Sequence, residues 1–129
     1  MGTLQELNLY RPTRGLVIKD FSPQEKHYGV DIAENPNEGV LAIHSGTVVM
    51  SDYTAKEGYT FAIQHRENLV SIYRNCHHLL KEVGDKVVAG EVIATLSSNG
   101  SEEGKAKPYL HFELWHRGKP LDPNIYIAF

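Results

Sequence analysis

The sequence predicts a small all-β domain, a β sandwich or barrel. Val, Ile, Thr and Tyr recur in short runs, and Gly, Asn and Pro punctuate those runs at intervals of about ten residues. Strong helix signals are scarce. The chain of 129 residues fits one domain, 1–129, and no linker, internal repeat or low-complexity tract divides it.

The elements follow in order. Gly39 to Ile43 reads as a strand, His44-Ser45-Gly46 as a turn, and Thr47 to Ser51 as the return strand. Tyr59 to His65 is a further strand, turned by Arg66-Glu67-Asn68 into Leu69 to Arg74. On that strand Leu69, Ser71 and Tyr73 share one face, and Val70 and Ile72 the other. Val87 to Leu96 gives two extended segments around Gly90. Tyr109 to Trp115 alternates cleanly: Leu110, Phe112 and Leu114 point one way, and Tyr109, His111, Glu113 and Trp115 the other. Leu79, Leu80 and Val83 are spaced for a short helix over His77 to Glu82. Asp52 to Gly58 and Ser97 to Lys107 read as exposed polar loops.

Bulk composition narrows the function. Hydrophobic residues make up 41% and charged residues 22%, an ordinary globular balance, and the formal charge is −3. No Lys/Arg cluster forms the basic face of a nucleic-acid binder. No apolar run approaches the roughly 18 residues of a membrane span. Polar residues after Met1 leave no secretory core, so any signal or anchor is expected to lie outside these residues. Cys76 is the single cysteine, which excludes an internal disulfide.

Seven histidines invite a metal reading, although any one of them is more often a surface or core residue. In His27-Tyr28-Gly29-Val30-Asp31, imidazole and carboxylate are both good zinc ligands, and Gly29 would let the backbone bend close to an ion. The alternative is a loop histidine beside a strand aspartate. In Tyr109-Leu110-His111-Phe112-Glu113, the odd positions form a polar stripe that suits a site floor or, alone, a solvated strand face. His77 and His78 are adjacent, would point to opposite faces of a strand, and are expected at the surface.

The order and spacing of these pieces resemble the M23 (LytM-type) zinc peptidases, from about Arg11 to Tyr126. The resemblance runs through Arg14-Gly15, Phe21, His27 to Ala33, Val40-Leu41-Ala42 and Ser45 to Val49. It continues through Gly58-Tyr59, Ile63-Gln64-His65, Tyr73, Val83 to Val87 and Ala89 to Ala94. It closes on Leu110 to Trp115 and Gly118 to Pro123. It implies an antiparallel β fold with a central groove and one zinc ion held by His27, Asp31 and His111. Three protein ligands with an open fourth position mark a catalytic rather than a structural zinc site.

Two departures stand against activity. Family peptidases carry two further histidines beside the metal; here the matching positions are Asn75 and Tyr109. Peptide hydrolysis on zinc needs a polarised carbonyl, an activated water and a proton carrier. General acid–base groups contribute roughly 10²–10⁴ in rate. Asn75 cannot shuttle a proton, and Tyr109, with a phenol pKa near ~10, is a poor base. Glu113 is a candidate substitute base. Tyr73, Asn75 and Tyr109 are candidate binding residues.

The resemblance thus implies a degenerate, zinc-holding domain that leans inactive. It would bind peptidoglycan or a cell-wall hydrolase partner in the periplasm or envelope of a bacterium. The alternative is a zinc-dependent endopeptidase with altered catalytic residues. A carrier domain is a third reading, because Gly84 to Glu91 also resembles half of a biotinyl or lipoyl domain. No lysine here sits at the hairpin tip that such carriers modify.

Overall fold

The computed structural model describes residues 7–96 and 108–129. The expected polar loop Ser97 to Lys107 lies outside them. Among the described residues, eleven strands form two antiparallel sheets. The larger runs β1 (Leu16–Lys19), β2 (Val30–Ala33), β10 (Tyr109–His116), β6 (Leu69–Cys76), β5 (Gly58–Gln64), β4 (Gly46–Thr54) and β8 (Lys86–Val87). β11 (Lys119–Leu121) joins the far end of β10. The smaller sheet runs β3 (Gly39–Leu41), β9 (Val92–Thr95) and β7 (His78–Leu79). A short helix α1, Pro123–Tyr126, closes the chain, with the Asp122 side chain accepting from the Asn124 N–H.

Alternation decides which faces meet. Leu110, Phe112 and Leu114 are fully buried, as are Leu69, Ser71 and Tyr73. They pack with Phe61, Ile63, Val30 and Ile32 of the larger sheet and with Val40, Ile93 and Ala94 of the smaller one in a single core. The opposite face of β2, β10 and β6 is therefore free to carry the polar site.

One polar chain crosses the core. The His65 Nδ1–H donates to the Ser45 carbonyl at 2.8 Å, and Nε2 lies 2.7 Å from the Ser71 hydroxyl. The Ser71 and Tyr73 hydroxyls are 3.0 Å apart, and the Ile43 N–H donates to Tyr73 at 3.2 Å. A neutral His65 accepts from Ser71, and Tyr73 can then donate to Ser71, so each buried group finds a partner. Burial pushes His65 down to about 4, although its bond to Ser45 opposes that shift.

Two expectations fail. No helix forms over His77 to Glu82: His78 and Leu79 pair with Thr95 and Ala94, and the Leu80 N–H donates to the Ile93 carbonyl. Strand pairing with β9 takes the backbone groups a helix would need, and Leu80 and Val83 stay exposed. Asp52 to Gly58 is mostly strand, because β4 continues to Thr54 and pairs Asp52 with Thr60 and Tyr53 with Tyr59. Its polarity reflects a hairpin that projects past the core, exposed on both faces.

Candidate metal centre

Strand register assembles the site. β10 lies between β2 and β6, with His111 opposite Asp31 on one side and Arg74 on the other. Directly opposed residues share a face, so all three side chains rise from the polar side of the sheet. His27 arrives from outside the strands, after a 3-10 turn over Pro23–Glu25. Ser22 and His27 exchange backbone hydrogen bonds, which pins the chain just before β2.

Gly29 lies tightly against β10. A Cβ there would stand 2.3 Å from the Phe112 carbonyl oxygen and 2.8 Å from the Glu113 Cγ. The glycine lets this segment lie directly against β10, which is how His27 comes within reach of His111.

The donor atoms of His27, Asp31 and His111 lie within 4.8 Å of one another. The two imidazole rings meet edge-on with centroids 5.1 Å apart. The His27 Nδ1–H donates to the Asp20 carbonyl at 2.8 Å, so the Nε2 of the neutral ring carries a lone pair. That nitrogen is buried without a hydrogen-bond partner, yet it stands 3.2 Å from Asp31 Oδ1. A cation seated between them would be held by both atoms. Two imidazoles and a carboxylate form a donor set suited to zinc.

His111 is held from both ends. Its Nδ1 lies 2.7 Å from Asp31 Oδ1 and its Nε2 lies 2.7 Å from Glu113 Oε2. Burial alone would push its pKa down; the bonds to Asp31 and Glu113 outweigh this and hold it up, at about 9. Burial likewise tends to raise Asp31 and Glu113, but their bonds to histidine bring both below the usual carboxylate range. A metal would take the place of the proton on Nδ1, and Glu113, accepting from Nε2–H, would orient the ring.

Glu113 is only 8% exposed and both its oxygens are engaged, since Oε1 accepts from Trp115 Nε1–H at 2.8 Å. It is placed to support His111 rather than to act as a substitute base. Arg74 lies beside it, with Nε 3.6 Å from Glu113 Oε2 and Nη1 3.1 Å from Glu57 Oε2. Sequence reasoning missed Arg74, Glu57 and Trp115 as site residues. The β6 alternation puts Arg74 on the face opposite Tyr73, but only the register with β10 brings it to His111.

The other expected residues divide. Asn75 adopts a left-handed φ of 69°, a conformation asparagine tolerates well, and its Nδ2 donates to the Tyr109 carbonyl at 2.8 Å. Asn75 and Tyr109 are therefore joined at the mouth of a groove of about 290 Å³ that they line together with His27, Asp31 and His111. Tyr73 is fully buried in the core network, so it contacts no ligand in this fold and is not a binding residue. His77 and His78 are exposed and lie away from the groove, at and just before β7.

Two histidines and an aspartate thus stand together on the floor of an antiparallel groove, as a candidate metal-binding site. A sequence model of peptidase family M23 matches residues 25–123, and the chain belongs to that family. It is 36% identical over 119 residues to a Pseudomonas aeruginosa lipoprotein NlpD/LppB homologue, covering 90% of this chain and 38% of that protein. It is 33% identical over 119 residues to the Escherichia coli murein hydrolase activator NlpD, covering 90% of this chain and 30% of that one. The chain thus spans about a third of the length of the curated relatives it matches. Among solved structures, Helicobacter pylori Csd3 superposes with a TM-score of 0.79 at 25% identity, over 94% of this chain and 33% of that one.

Proposed function

We propose that this domain holds zinc through His27, Asp31 and His111 without hydrolysing peptide bonds. It serves in the bacterial envelope as a regulatory module that docks a cell-wall hydrolase or peptidoglycan. One observation carries the reading: the positions that would move protons are Asn75 and Tyr109, and the Asn75 amide is engaged with the Tyr109 carbonyl at 2.8 Å. Zinc, when bound, supplies Lewis acidity and lowers the pKa of water. Beside it, Glu113 is tied to His111 and Trp115, and a phenol at Tyr109 is a weak base. The murein hydrolase activator among the relatives supports the regulatory role.

The test adds the zinc-loaded domain to purified peptidoglycan hydrolases of its host and measures release of labelled murein. Stimulation of a hydrolase, with no release by the domain alone, is expected. The Asn75→His plus Tyr109→His variant is the control, because restoring both side chains should confer slow cleavage. Release by the wild-type domain alone would refute the proposal.

A further inference from the structure

The groove is charged in a way the metal site does not need. Its carboxylates are all engaged internally: Asp31 with His111, Glu57 with Arg74, and the adjoining Glu113 with His111. Two of its cations are not. Lys19 stands on one wall at the end of β1, opposite Asp31, and Lys56 stands at the tip of the β4–β5 hairpin. Neither has a salt-bridge partner among the described residues. The chain as a whole carries −3, so this concentration of unpaired positive charge is local. A divalent ion on the three ligands would add to it.

An apolar strip lies on the Lys19 side of the groove. Leu16 pairs with Ala33, and Ala33 with Tyr109, so the three share the face that carries Asp31 and His111. Leu16 is 78% exposed and Ile18, at the bulge of β1, 61%. A small inorganic anion would need the lysines but not this strip. A peptide segment with acidic and apolar side chains needs both.

We infer that the groove receives an acidic, apolar segment of a partner protein, with a partner carboxylate drawn to Lys19 and Lys56 and its apolar neighbours seated on Leu16 and Tyr109. The inference rests on the regulatory reading and gives it a recognition chemistry. Arg74, already paired with Glu57, supports the electrostatic field without having to release its partner.

The probe is an N-acetylated, C-amidated hexapeptide of alternating leucine and glutamate, compared with its glutamine counterpart. Both are titrated into the isotope-labelled zinc-loaded domain and followed by amide shifts. The glutamate peptide should bind at least about tenfold more tightly, as a charge-assisted contact predicts. It should weaken with salt and move the amides of Lys19, Lys56 and Tyr109. Lys19→Glu with Lys56→Glu should abolish that preference, and Lys19→Arg with Lys56→Arg should keep it. Equal affinity for the two peptides, displacement by acetate at similar concentration, or stronger binding of a muropeptide would each overturn the inference. In the hydrolase assay, stimulation that survives the charge reversal would overturn this inference alone. Absence of stimulation by the wild-type domain would remove the regulatory reading and this inference with it.

Discussion

Replacing Glu113 with glutamine tests whether the groups behind the ligands set metal affinity. Two donors converge on Glu113, His111 Nε2–H and Trp115 Nε1–H, at 2.7 and 2.8 Å. Glutamine has one acceptor oxygen and one amide nitrogen, so either orientation sets its NH2 against one of the two N–H groups. An unsatisfied buried donor costs about 1–3 kcal/mol. Where the amide turns its nitrogen toward His111, the ring loses the bond that fixes Nδ1 on the metal side. Zinc affinity should fall by roughly 10- to 100-fold, the usual effect of removing a hydrogen-bond partner of a ligand. Competition with a chelating dye measures this directly. Adding Trp115→Phe removes the competing donor, so the glutamine oxygen can serve His111 and part of the loss should return. Unchanged zinc affinity in Glu113→Gln, or no recovery in the double variant, would refute this account of how His111 is held.

Other outcomes follow from the same structure. His65 titrates near about 4 when folded and near ~6.5 when unfolded. The unfolded chain therefore binds the extra proton between those values, and stability falls as pH drops through that window. Urea unfolding at about pH 7 and pH 4.5 should show wild type losing about 2–3 kcal/mol more than His65→Gln; equal losses would contradict it. Gly29→Ala must move a Cβ away from the Phe112 carbonyl, 2.3 Å distant. It should cost about 1–3 kcal/mol in urea unfolding and weaken zinc binding by shifting His27. Phe112→Ala empties a fully buried site and should cost about 3–5 kcal/mol in the same measurement.

What the sequence disclosed was periodic or collinear. The alternation of Tyr109 to Trp115 separates core from site face, and the structure keeps that division. The family spacing singles out His27, Asp31 and His111, which register then brings within ligand distance. Features that depend on tertiary pairing were hidden. The trio Leu79, Leu80 and Val83 has helical spacing, yet β9 takes its backbone. Tyr73 looked like a site residue because family order places it beside Asn75, but alternation on β6 turns it inward, beside Ser71. Arg74 drew no attention because its role depends on a strand 37 positions away, through the pair His111–Arg74. The close approach of Gly29 to the Phe112 carbonyl likewise depends on the packing against β10.

The central claim is that this domain holds a metal and lacks the means to use it. Its most direct test is dye release from labelled peptidoglycan by zinc-loaded protein of measured metal content, beside His111→Ala. One zinc per chain, lost in His111→Ala, with no release from either protein, is the predicted result. Release by the zinc-loaded protein that His111→Ala abolishes would contradict it.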